Sequence, residues 1–347
     1  MGHREGAAKP KINHLHCASI RKPLRGDRKK TTLWKFGKRL RDATRHIPIT
    51  KNQGILGMIT CLFETIKLPM VANPTFFKTI QIEVEEFTSD TSVLSSEEKE
   101  YLLENITYLK ILETDIKIDF TLVEESAVFG RMLMINWMMT VQLCHCFDIE
   151  TLHLSVSILD RYFSRRKYMR YEDHFLIVTS ALLIGWNYQN RKHPELQKFL
   201  ENAGICYSHG EIFRMEREML TTLNFGLGQP LPLDFLKIYN TIGGLHSEHQ
   251  SLSEFILEVA ILDFRLSHEK PSLQAAAVYC VTSALARRSL DVSSMWTFQL
   301  VTTTNICFAD FSHVAFRIMD LAPLSLFPYL TAMRLKYSEF FELANGL

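Results

Sequence analysis

From about residue 98 onward the apolar positions of this chain recur at helical spacing, and no stretch alternates long enough to form a sheet. Ser95-Ser96-Glu97-Glu98 is a capping box, in which the hydroxyl accepts from an early amide while Glu98 reaches back to Ser95. It opens a helix with Leu102, Ile106 and Leu109 on one face. A second helix is predicted over roughly residues 130–144, with Trp137 at its middle. A third carries Leu152, Val156, Leu159 and Phe163 on one side, at spacings of four, three and four. Residues 175–184 are apolar nearly all round, the pattern of a helix at the centre of a bundle. A short helix begins near His193-Pro194, and Ser208 caps another that runs to Leu223. Residues 224–228 include types that tolerate positive φ at its end. Pro230 and Pro232 stiffen the link that follows.

The chain then repeats itself. Ile158-Leu159-Asp160, Ser164 and Val178-Thr179-Ser180-Ala181-Leu182 return as Ile261-Leu262-Asp263, Ser267 and Val281-Thr282-Ser283-Ala284-Leu285, each pair 103 residues apart. A fixed offset marks a duplicated unit. The central helices of the two units fall near 175–187 and 273–287, with the small Ala181 and Ala284 at helix crossings.

Charge changes the picture at the N-terminus. Residues 1–51 hold fifteen Lys or Arg and three acidic residues, which leaves 24 basic and 35 acidic residues for the remainder. A basic tail, residues 1–94, therefore precedes an acidic body, and it reads as largely disordered. Within it Arg21-Lys22-Pro23-Leu24 has the spacing of a destruction box. Arg28-Lys29-Lys30 fits part of a nuclear import signal. Ile55, Ile59, Leu62, Ile66 and Leu68 form a stripe that suits an export signal or a docked helix.

The chemistry is sparse. The seven cysteines show no CxxC spacing, which suits a reducing intracellular compartment. Cys144-His145-Cys146 has no second ligand cluster beside it, so no metal is expected. Residues 54–71 are broken by Glu64 and Lys67 and are too polar to span a membrane. No GxxxxGK[ST], GxSxG or HExxH occurs. The expectation is a binding module without cofactors rather than an enzyme.

Specific residues then carry a resemblance. Arg131-Met132-Leu133-Met134-Ile135-Asn136-Trp137 resembles the start of a cyclin box, and Ser157-Ile158-Leu159-Asp160-Arg161-Tyr162 its second helix. Met215-Glu216 and Leu223-Asn224-Phe225-Gly226-Leu227-Gly228-Gln229-Pro230-Leu231-Pro232-Leu233 are most similar to B-type mitotic cyclins. Leu262-Asp263, Pro271-Ser272, Ala275-Ala276-Ala277 and Lys336-Tyr337 extend the likeness, which covers about residues 98–340.

The resemblance implies an all-α fold of tandem duplicated five-helix cyclin boxes, residues 95–228 and 229–347. It implies a regulatory subunit that binds and activates a mitotic cyclin-dependent kinase at G2/M, in nucleus and cytoplasm. A ubiquitin ligase and nuclear transport receptors would read the tail, and neither nucleic acid nor membrane is an expected partner. Glu216 matches the family glutamate at the kinase C-helix, and Asn187 stands where the family has the lysine of Ser-Lys-Tyr-Glu-Glu. Leu133, Met134, Trp137 and Phe175 fall on the substrate-docking patch, whose leading Met is Gly130 here and whose Leu-Gln pair is His174-Phe175. Arg131 and Asp160 would form a buried structural ion pair inside the first box. Because the lysine and both acids of the family run are replaced in Trp186-Asn187-Tyr188-Gln189-Asn190, a cyclin-fold scaffold that activates nothing is the second reading. A nucleic-acid-binding tandem of this fold is the third, which the acidic body argues against.

Overall fold

The computed structural model describes residues 95–114, 118, 125–166, 173–190, 196–202, 207–321 and 330–337. The whole tail, with its destruction-box, import and export spacings, lies outside the described residues. Among the described residues all regular structure is helical.

α1 (Ser96–Glu113) opens on the predicted box: the Glu98 amide donates to Ser95 Oγ at 3.2 Å and the Ser95 amide to Glu98 Oε2 at 2.8 Å. Five helices follow as a first bundle: α2 (Glu125–His145), α3 (Ile149–Arg165), α4 (His174–Gln189), α5 (Leu196–Asn202) and α6 (His209–Thr222). α2 begins about a turn before the sequence pattern suggests. The predicted inner face of α3 is the buried one, with Leu152, Val156, Leu159 and Phe163 all in the core. α4 is buried from Ile177 through Gly185 and lies between α3 and α6. Its approach to α3 is close at Gly185, where a Cβ would sit 2.2 Å from Ser155 Oγ.

The second bundle comprises α7 (Pro232–Ile242), α8 (Gln250–Leu262), α9 (Pro271–Ala286), α10 (Phe298–Thr304) and α11 (Phe308–Leu321), and α12 (Thr331–Lys336) ends the described chain. Pro232 and Pro271 occupy first-turn positions, where a missing N–H leaves no bond unmade. α9 is buried almost throughout and packs on α7, α8 and α11, the counterpart of α4.

The duplication is real at the level of bundles, but its register is not the 103 residues of the recurring motifs. α4 and α9 begin 97 residues apart (His174, Pro271) and end 97 apart (Gln189, Ala286), whereas α6 and α11 begin 99 apart (His209, Phe308). Val178 is in the second turn of α4, while Val281 is in the third turn of α9. Asp160 lies inside α3, whereas Asp263 is the residue that ends α8. Buried helices draw on a few small and aliphatic residues, so short words recur in them without equivalent position.

The two bundles share one continuous apolar core, and each end of the described chain grips the opposite bundle. α1 packs on α7, α9 and α10 of the second bundle, and α12 packs on α2 of the first. α1 is fastened by Lys110, which donates to the Thr304 carbonyl, and by Glu113, which accepts from the Ser272 amide at 2.6 Å and its hydroxyl at 2.8 Å. Glu113 thus caps α9 from another element, where Lys270 gives no side-chain cap of its own.

Candidate functional site

The predicted pair of Arg131 and Asp160 sits at the seam between bundles. Arg131 Nε donates to Asp160 Oδ1 at 2.7 Å and Nη2 to Oδ2 at 2.8 Å, a two-pronged contact between residues each 3% exposed. Nη1 donates onward to the carbonyls of Ile261 at 2.8 Å and Leu262 at 3.3 Å. These are last-turn carbonyls of α8, which lack helical partners and carry the negative end of the helix dipole. The pair is therefore not confined to the first bundle: its guanidinium binds both. Asp263 does not copy Asp160, because it pairs with Arg317 Nε at 2.6 Å and accepts the Arg265 amide at 2.9 Å.

A second constellation lies on α6 and its neighbours. Ser208 and Glu211 cap α6 reciprocally, and Ile212, Met215 and Met219 turn inward. Phe213, Glu216 and Leu220 fall on another face at spacings of three and four. Phe213 is exposed and Glu216 half-buried. Two residues on, Glu218 is fully occupied, accepting from Tyr162 Oη at 2.9 Å and pairing with Arg166. Glu216 has neither hydrogen bond nor ion pair among the described residues, and burial pushes its carboxyl up to about 7.

The turn after α6 holds the adjoining surface. Asn224 and Phe225 both adopt left-handed conformations, φ 51° and 56°. That is ordinary for asparagine and strained for a bulky side chain. Buried Arg161 donates to the Gly226 and Leu227 carbonyls and pins the turn, leaving the Phe225 ring 69% exposed. Tyr188, at the end of α4, is also exposed and passes over Gly228, where a Cβ would lie 2.8 Å from its hydroxyl. Asn187 is exposed beside it. α4 packs on α6, so Asn187 and Glu216 stand on adjoining helices. α1, on the second bundle, carries exposed Tyr101, Tyr108 and Ile111 at spacings of seven and three along one side. Exposed aromatics on α6, on the turn that follows it and at the end of α4 mark an interaction surface. The recurring motifs drew attention elsewhere, and sequence reasoning missed Tyr188, Phe213, Phe225 and the α1 stripe. A helical wheel of α6 would have set Phe213 opposite its apolar face.

The four patch residues divide. Trp137 and Phe175 meet edge to face at 5.7 Å, and Leu133 lies one turn before Trp137, half-buried. Met134 is 5% exposed and belongs to the core, because its position on α2 turns it toward the bundle centre. Gly130 leaves open space, since a Cβ there would meet only Met134 Cε at 4.0 Å. Burial lowers the His174 imidazole, partly offset by Asp173. His145 of Cys144-His145-Cys146 packs on Phe147, Trp186 and Phe199. Among the described residues no group of three metal-binding side chains occurs, and no helix is long and apolar enough to cross a membrane.

Comparison with known proteins places these elements. The cyclin N-terminal domain matches residues 104–228 and the cyclin C-terminal domain residues 230–344. The G2/mitotic-specific cyclin-B of Patella vulgata is 28% identical over 270 residues, 77% of this chain and 64% of that protein. The G2/mitotic-specific cyclin-B1 of Carassius auratus is 31% identical over 185 residues, 53% of this chain and 46% of that protein. The chain spans about half to two thirds of the length of these curated relatives. Among solved structures, a viral cyclin from herpesvirus saimiri shares the fold with a TM-score of 0.53 at 19% identity, covering 62% of this chain and 96% of that one.

Proposed function

The chain belongs to the cyclin family, and on that premise we propose that it is the regulatory subunit of a mitotic cyclin-dependent kinase, acting at G2/M through the face built by α1, α4, α6 and the turn after α6. A protein kinase is active when a strand lysine pairs with the glutamate of its C-helix. A subunit that packs against that helix shifts the population toward the active arrangement and supplies no reacting group itself.

One observation carries the reading: Glu216 is half-buried with no cation among the described residues, one turn from exposed Phe213 on a helix that packs against α4, whose end carries exposed Tyr188. Among the described residues nothing offsets the desolvation of that carboxylate, and a cationic group on a partner would relieve it. Asn187 is neutral where the family has a lysine, so it contributes an amide bond in place of a charge-assisted one roughly twice as strong. Binding to a mitotic kinase, measured by calorimetry, tests this. Asn187→Lys is expected to tighten it by about tenfold, and Glu216→Ala to weaken it by about 2 kcal/mol, the low end for truncating an interfacial charge. Two silent substitutions would remove the face from consideration. Neutral Asn187 also favours the second reading, a cyclin-fold interaction scaffold that activates nothing. Absence of histone H1 phosphorylation by a kinase that binds the chain normally would select it.

A further inference from the structure

On the proposed docking face, α6 belongs to the first bundle while α1 is fastened to the second, so a partner that grips both touches both bundles. The angle between bundles thus sets the spacing of the two halves. Arg131 is one tie across the seam. Another is made by the last turn of α12. Lys336 Nζ pairs with Glu258 of α8 and donates to Gln142 Oε1 of α2 at 3.0 Å. Glu258 is fully buried, and its Oε2 has no partner among the described residues. Gln142, itself buried, uses its amide on the Phe147 carbonyl at 3.3 Å, which holds the end of α2. Tyr337 adds its ring against Phe255 of α8 at 5.2 Å. Glu150, Lys237 and Glu254 lie in the same seam, but Lys237 is paired with Glu150 and Glu254 faces Gln250. Lys336 is therefore the cation on which the buried Glu258 depends.

We propose that Lys336 is a positioning residue for partner binding: reaching from α12, it clamps α8 of the second bundle to α2 of the first and so holds the two halves of the docking face at their binding distance. Without it Glu258 is a buried charge with no counter-ion, and α8 gains by moving toward water. The bundles then rock, and a partner spends binding energy on restoring the angle. Lys336 is no part of the docking face, so its effect on affinity runs through geometry. The inference rests on the kinase reading for its binding half and on the seam alone for its mechanical half.

The full chain carries the test, as Lys336→Met, Lys336→Arg and the double variant Lys336→Met with Glu258→Gln. Lys336→Met is expected to split calorimetric unfolding from one transition into two and to weaken kinase affinity by about threefold to thirtyfold, the range for coupling carried through packed residues. Lys336→Arg should keep the single transition and the parent affinity. The double variant removes the lone buried charge and is expected to fold stably yet still bind weakly. It carries the affinity measurement if Lys336→Met does not fold. Parent-like affinity in the double variant overturns the positioning role. If the parent itself does not bind the kinase, the kinase reading falls, and unfolding alone judges the clamp: two transitions uphold it and one overturns it.

Discussion

Glu216 shows how a single side chain reports what a surface is for. Desolvation pushes its carboxyl from 4.5 up to about 7, with no opposing hydrogen bond or cation among the described residues. Between those values the folded chain holds a proton that the unfolded chain has released. The group's contribution to stability is therefore complete below 4.5 and is lost as pH rises through about 7. Melting temperature of the parent should fall across that window relative to Glu216→Gln, which lacks the ionisation. Parallel profiles would mean that the carboxylate is solvated. A cationic partner reverses the preference, so partner affinity should rise from pH 6 to pH 8 in the parent and stay level in Glu216→Gln. At this scale the sequence indicated Glu216 through its place in Met215-Glu216, yet its burial and its missing cation depend on how α6 lies against α4. The same holds for Met134. Its place in the Arg131–Trp137 run resembled the docking patch, but one position of helix rotation separates it from Leu133, and that rotation puts it in the core.

Among elements, α3 and α4 make a close glycine-mediated contact. Gly185 faces Ser155, whose hydroxyl donates to the Thr151 carbonyl at 2.7 Å. Gly185→Ala would drive a methyl group into that hydroxyl and against the Ser155 backbone nitrogen at 3.3 Å. The expected loss is about 1–3 kcal/mol in urea denaturation, the usual cost of overpacking a close-packed core. Ser155→Ala in the same chain should recover part of it, and an unchanged midpoint in Gly185→Ala would place the helices farther apart. The apolar run of residues 175–184 announced a buried helix. It could not announce this crossing, because which residue of α3 meets Gly185 depends on the relative rotation of both helices.

At the scale of the whole molecule, the bundles are joined by crossed ends and by cations that include buried Arg131, Lys336 and the more exposed Lys237. Asp160→Ala leaves Arg131 buried with only carbonyl partners, and a loss of about 3–5 kcal/mol is expected. Urea denaturation of the full chain measures it, and a variant as stable as the parent would show that the seam admits water. Since Arg131 holds α8 carbonyls as well, the loss should be accompanied by faster hydrogen exchange at Ile261 and Leu262. A purely first-bundle pair would leave those amides protected.

Local chemistry was legible without a structure. Helical periodicity, the capping box at Ser95, the cap at Ser208 and the inner face of α3 all act within a few residues of chain, where spacing alone decides them, whereas Pro232, read as linker, opens α7. The sequence likewise determined that two bundles exist, since two apolar central helices each need neighbours to bury them. It misjudged their register, because recurring words record shared composition rather than shared position. The exchange of α1 and α12 between bundles, the reach of Arg131 to α8 and the pairing of Lys336 with Glu258 join residues from 78 to 194 positions apart. Such contacts leave no periodic trace in the chain. They follow from how finished helices pack, and only the tertiary structure decided them.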